Sequence, residues 1–192
     1  MKSPEEILSF WFDEVGQKNW FSNSTKIKNL INKKFLSTWR SAFEGSFSLW
    51  LTYPSGSLAY IILTDQFSRN MFKGSADAFL MDTAALSVAK NCVYKGWDLK
   101  IDEPYRQFFY LPFMHSECVS DQERFIRLLL TRMPETGSES LSEAKNYREI
   151  IRKFGRFPYR NEALDRAHTT SEMEFLIASG HKKAMKSLSS KV

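Results

Sequence analysis

Three segments of the chain set ionisable and hydrogen-bonding side chains against apolar ones in patterns that could do chemistry. In the first, Leu58, Ala59, Tyr60, Ile61, Ile62 and Leu63 give way abruptly to Asp65, Gln66, Arg69 and Asn70. Asp65 and Arg69 are four apart, as are Gln66 and Asn70, so on a helix each pair shares a face. With Phe67, Met71 and Phe72 around them, these groups are expected to be at least half-buried. An ion pair there must be well hydrogen-bonded to be tolerated. The segment reads either as a structural bridge or as one wall of a polar pocket. In the second, His115, Ser116 and Glu117 follow an aromatic stretch, Phe108 to Met114. Pro112 has no amide hydrogen, so the Phe108 carbonyl loses a helical partner and a kink or helix end is expected there. A histidine near a carboxylate in partly apolar surroundings suits acid–base chemistry, because small perturbations move its titration across neutral pH. The bland alternative is a buried histidine bonded to a backbone carbonyl. In the third, Arg156 and Arg160 stand on a short stretch, 154–161, stiffened by Pro158 and framed by Phe154, Phe157 and Tyr159. Two guanidiniums so held suit bidentate capture of a carboxylate or phosphate, and equally suit pinning carbonyls at helix ends. Asn161 is placed to cap a short helix from about Glu162.

Other chemistries find little support. The string from His115 to Cys118 superficially resembles zinc deaminases, but the downstream paired cysteines are missing, and no HExxH or His/Cys cluster occurs. No metal and no cofactor is expected. Nucleophile elbow, P-loop and dinucleotide fingerprints are absent as well.

The elements that must carry these residues read as helices throughout. Ser3, Pro4 and Glu6 form a helix start of the capping-box type, with Ile7, Leu8, Trp11 and Phe12 at helical spacing behind it. A second helix is expected over 25–43, its stripe formed by Ile27, Leu30, Ile31, Phe35, Trp39 and Phe43, with Gly45 past its end. Further helices are expected over 56–72, 76–94, 105–113 and 120–132, then from Ser140 to near Gly155, with a last short one capped by Thr169 and Glu172. Pro134–Glu139 reads as a surface loop. No segment alternates with a period of two, and hairpin turn signals are absent. Short loops imply antiparallel helical hairpins. Helix pairs recur at roughly 34 residues, the tetratricopeptide length, without that repeat's sequence signature.

Size and composition fit this reading. The 192 residues are 43% hydrophobic, 15% aromatic and 26% charged, which suits one soluble globular domain with a sizeable core. A net charge of +5 raises the question of nucleic acid, but Lys182, Lys183, Lys186 and Lys191 crowd into residues 181–192 with no acid among them. The preceding residues are nearly neutral and lack the clustered basic face that phosphate tracking needs. Lys26, Lys28, Lys33 and Lys34 read as the solvated face of the second helix. Cys92 and Cys118 are too few to staple the chain and fit a reducing compartment. The N-terminus lacks an uninterrupted apolar stretch, and the longest apolar runs fall well short of the ~20 residues of a membrane helix. A cytoplasmic protein that engages neither membrane nor nucleic acid is expected; composition leaves the oligomeric state open.

The segments 65–70 (DQFSRN), 110–117 (YLPFMHSE) and 154–161 (FGRFPYRN), with FWF at 10–12, together resemble the bacterial family called domain of unknown function 924. The resemblance extends from about residue 5 to 177. It implies a single all-α domain of tetratricopeptide-like helical hairpins and no established activity. Asp65, Gln66, Arg69, Asn70, His115, Ser116, Glu117, Arg156, Arg160 and Asn161 match the family's strings. Ser68 stands where Pro is common, Cys118 where Asp is common and Tyr159 where His is common; the last removes a titratable group. The reading is thus one all-α domain over 1–180 with a basic, Ser/Lys-rich tail over 181–192. The leading functional expectation is a polar pocket for a small anionic molecule or peptide carboxylate. Gln66, Arg69, Asn70, Ser116, Arg156, Arg160 and Asn161 are its candidate binding residues. The rival is an enzyme, a hydrolase or lyase on a small anionic substrate, with His115 as acid or base and Glu117 or Asp65 orienting it. A third reading makes the motifs purely structural.

Overall fold

A computed structural model describes residues 1–179; the basic tail lies outside the described residues. Among these residues every regular element is helical and no strand occurs, so the chain forms an all-α domain. Helix α1 (Pro4–Ser9) has the expected capping box, with Glu6 N–H donating to Ser3 Oγ and Ser3 N–H to Glu6 Oε2. It continues into a π-helical turn, Phe10–Val15, that buries Phe10 and Trp11. Helix α2 (Thr25–Phe43) starts at Ser24, whose hydroxyl accepts from Ile27 N–H. Its buried face is Ile31, Phe35, Trp39 and Ala42, whereas Leu30 and Phe43 of the expected stripe are exposed. Phe43 instead stacks on Trp39 from outside, centroids 5.7 Å apart.

Helix α3 (Pro54–Ile61), a π-helical turn (Ile62–Phe67) and α4 (Ser68–Met71) run on without interruption. Thr64 and Ser68 hydroxyls bond back to the carbonyls of Tyr60 (2.7 Å) and Thr64 (2.6 Å), a pattern that bends helices. Ser68 also accepts from the indole N–H of Trp39 at 2.6 Å, so the serine that departs from the family string ties α2 to this rod. Helices α1 and α2 both pack on the rod, as does α5 (Asp82–Tyr94). Residues 76–79, expected as part of α5, form a separate 3-10 turn.

The helical run breaks just ahead of Pro112, as expected, but the proline itself belongs to the next helix. A 3-10 turn covers Tyr105–Phe109, and Pro112 then sits in the first turn of α6 (Leu111–His115), where an amide hydrogen would have no intrahelical partner. The proline therefore starts a helix, and His115 is its last residue. Helix α7 (Val119–Arg132) packs on α6 and on α8 (Gly137–Phe154). Helix α8 begins within the stretch expected to be loop. Gly137 permits this, because a Cβ there would lie 2.5 Å from the Leu129 carbonyl oxygen of α7. Gly155 closes α8 with φ +68°, donating its N–H to the Ile151 carbonyl. No helix starts at Glu162; residues 161–165 are turns, and α9 (Thr170–Ala178) follows with its capping box at Thr169 and Glu172. The core is an aromatic nest in which fully buried Trp11 meets Phe67 and Phe108 edge-on, at 5.3 and 6.1 Å between centroids. Cys92 is buried, Cys118 is exposed and both are free thiols. No helix of the described residues is long and apolar enough to cross a membrane.

Candidate functional site

The π-helical turn puts Asp65 and Gln66 on the inward side of the rod, with Asp65 only 1% exposed. His115, fifty residues on, places Nδ1 2.7 Å from Asp65 Oδ1. Gln66 donates to Asp65 Oδ2 at 2.6 Å, and Arg69 Nη2 donates to Asp65 Oδ1 at 3.2 Å and to Asp82 Oδ1 at 2.8 Å. Arg69 Nε is 3.2 Å from the same His115 nitrogen. One nitrogen cannot both donate to the carboxylate and accept from the guanidinium. The shorter, charge-assisted contact puts the proton on Nδ1 and leaves Nε2 as the ring's acceptor.

Burial raises the cost of ionising Asp65, but the Arg69 charge beside it, with the hydrogen bonds from His115 and Gln66, holds its carboxyl well below the usual range. His115 moves down as well. Burial and the Arg69 charge disfavour imidazolium, and Asp65 offsets them only in part, so the ring is neutral at pH 7. Burial lifts Asp82 above its usual value against the pull of Arg69. Arg160 completes the cluster from behind. It donates to the His115 carbonyl at 2.9 Å, reaches Asp82 Oδ2 at 3.5 Å, and lies between the rings of Phe79 and Phe157, 4.8 and 4.5 Å from their centroids. Two carboxylates thus balance two guanidiniums around a neutral imidazole.

A cavity of about 490 Å³ opens over this cluster. Gln66, Arg69, Asn70 and His115 line it, together with Trp20, Phe21, Asn23, Lys28, Lys73, Gln107, Leu111, Met114, Ser140, Glu143 and Tyr147. Asp65 lies beneath the wall. Asn70 is oriented by donating to the Gln66 carbonyl at 2.9 Å.

The remaining candidates are engaged elsewhere. Arg156 does not join the other arginines; it holds Glu172 through two bonds of 2.6 and 2.9 Å and also donates to the Ala167 carbonyl. This pairing, with the Thr169 cap, drives the buried Glu172 carboxyl down to about 2. Glu117 does not orient His115. It accepts two bonds from Arg166, at 2.7 and 3.0 Å, and one from Phe157 N–H at 2.8 Å. Ser116 donates to Asp121, and Asn161, fully buried, caps no helix but contacts His168 and Glu172. These four residues fasten the 154–169 segment and the start of α7 to the domain. Tyr159 stacks on Phe157 at 5.2 Å and is not one of the residues lining the cavity.

Asp82, Lys28 and Lys73 were not evident from sequence. Asp82 opens α5 thirteen residues beyond Arg69, a spacing with no helical meaning, and Lys28 lay within a run that reads as solvated. Lys73 donates to Asn23 at 2.6 Å on the same wall. Among the described residues, no group of three His, Cys, Asp or Glu side chains is placed to hold a metal ion.

Fold and site together define a class: a single all-α domain in which a buried carboxylate–imidazole–guanidinium cluster underlies a polar cavity. The chain belongs to the family of bacterial proteins of unknown function DUF924, whose profile matches residues 7–180. It is similar to the solved structure of a protein of unknown function from Agrobacterium tumefaciens, with 34% identity and a TM-score of 0.83 over 90% of this chain and 96% of that one. No curated protein matches the chain.

Proposed function

We propose that the cavity binds a small anionic ligand or a carboxylate group. The observation carrying this reading is the wall itself, where Lys28, Lys73 and Arg69 line one hollow together with Trp20, Phe21, Leu111 and Met114, against the single acid Glu143. Because the buried cluster is internally balanced, the attraction for an anion comes mainly from the two lysines. Gln66, Asn70 and His115 supply orienting hydrogen bonds, and the apolar side supports the body of the guest. Calorimetric titration with acetate, inorganic phosphate and short peptides tests this reading. Lys28→Gln/Lys73→Gln is expected to weaken binding on the order of tenfold. Arg156→Ala, whose partner is Glu172, is expected to leave affinity unchanged; affinity lost with Arg156 but kept without the lysines contradicts the assignment.

The Asp65–His115 contact favours a second reading, acid–base catalysis on the bound anion. An ionised, buried carboxylate on Nδ1 fixes the tautomer and leaves Nε2 of a neutral ring able to take up a proton. Mass spectrometry of ligand incubated with the wild type and with His115→Gln distinguishes the two. Product made by the wild type alone supports catalysis, whereas binding without product restricts the site to capture.

A further inference from the structure

A second hollow of about 290 Å³ adjoins the first, sharing Trp20, Phe21, Gln107, Ser140 and Glu143 with it. Charge is sorted along the pair. Lys28, Lys73 and Arg69 line only the first hollow, Glu139 only the second, and Glu143 stands on the shared stretch. Glu139 and Glu143 are four residues apart on α8, and Tyr147, one turn further, has its hydroxyl pushed up by burial first and then by the Glu143 charge. A cleft meant for a simple anion gains nothing from carboxylates along its lining, since like charges repel the guest. The arrangement suits a guest that carries a cation at the opposite end from its anion. A single amino acid has its two charges on one carbon and fills one hollow; spanning both takes a longer backbone.

We infer that the ligand is a short unmodified peptide, its C-terminal carboxylate held at Lys28 and Lys73 and its amino terminus at Glu143 and Glu139. This rests on the anion-binding reading and narrows it to one chemical class. Trp20 and Phe21 lie along the shared stretch and cover the middle of the peptide, and Gln107 offers its amide to a peptide group there.

The test is calorimetry with trialanine, N-acetyl-trialanine, trialanine amide, acetate and inorganic phosphate as probes. In the wild type, acetylation and amidation are each expected to weaken trialanine on the order of tenfold. In Glu139→Gln/Glu143→Gln the penalty for acetylation disappears while that for amidation stays. In Lys28→Gln/Lys73→Gln the reverse holds. Both glutamates are exposed, the substitutions keep a polar side chain beside Tyr147, and melting temperatures check that the variants fold. If the acetylated peptide binds as well as the free one, or acetate binds as tightly as trialanine, the peptide assignment is wrong and anion binding survives. If no probe binds, both readings fall.

Discussion

Asp65 and His115 make the domain sensitive to acid. In the unfolded chain a histidine titrates near 6.5, whereas the folded His115 resists protonation. The unfolded state therefore binds more protons below about pH 6.5, and stability falls as pH drops through that region. Asp65 adds to the loss below about pH 4, where its unfolded carboxyl protonates but its folded one does not. Melting curves from pH 8 to 4 are expected to decline from about 6.5 downward, with the upper part of the decline flattened in His115→Gln. A pH-independent wild type would show that the ring is not held neutral. Asp65→Ala leaves Arg69 partly buried with half of its anionic partners, which costs about 3–5 kcal/mol in urea denaturation. Arg156→Ala strips Glu172 of its counter-ion and is expected to lower the melting temperature with no change in ligand affinity.

At the level of elements, the site depends on three junctions. The π turn at 62–67 aims Asp65 and Gln66, α6 ends at His115, and α8 closes the far wall with Ser140, Glu143 and Tyr147. The seating of α8 depends on the missing side chain at Gly137. Gly137→Ala drives a methyl into the Leu129 carbonyl and is expected to cost about 1–3 kcal/mol, with ligand affinity falling as the wall shifts. Stability and affinity both unchanged would mean that the helices slide apart freely. Helix starts were legible in the sequence wherever a side chain caps the backbone locally, as Ser3, Ser24 and Thr169 do. The π turns were not, because a single inserted residue leaves the apolar pattern intact. Pro112 signalled the break but not the helix that begins around it: the ring excludes a helix interior, and whether a new helix starts at once depends on the preceding turn.

Over the whole molecule, the three polar segments serve two purposes, and sequence alone could not divide them. Gln66, Arg69, Asn70 and His115 meet at one cavity with Asp65 beneath them, while Glu117, Arg156 and Asn161 fasten the chain around Arg166 and Glu172. Charged residues with apolar neighbours look alike in both settings; only the partner, often dozens of residues away, distinguishes them. The two lysines to which anion binding is assigned in the proposal were hidden because Lys28 and Lys73 come from separate elements. Both sit at the cavity rather than deep in the core, so their attraction is screened by salt. Affinity for anions is expected to drop several-fold between 0.05 and 0.5 M sodium chloride, roughly as screening lengths shorten, and salt-independent binding would place the anion on the buried arginines instead.

The most direct measurement is the nitrogen–proton spectrum of the histidine rings during titration with inorganic phosphate, acetate or trialanine. The chain holds three histidines, so the ring signals separate readily. Saturable binding should shift the His115 Nε2 resonance while His168, tied to Asn161, stays in place. Binding that leaves His115 unmoved would put the ligand somewhere other than the cavity above Asp65.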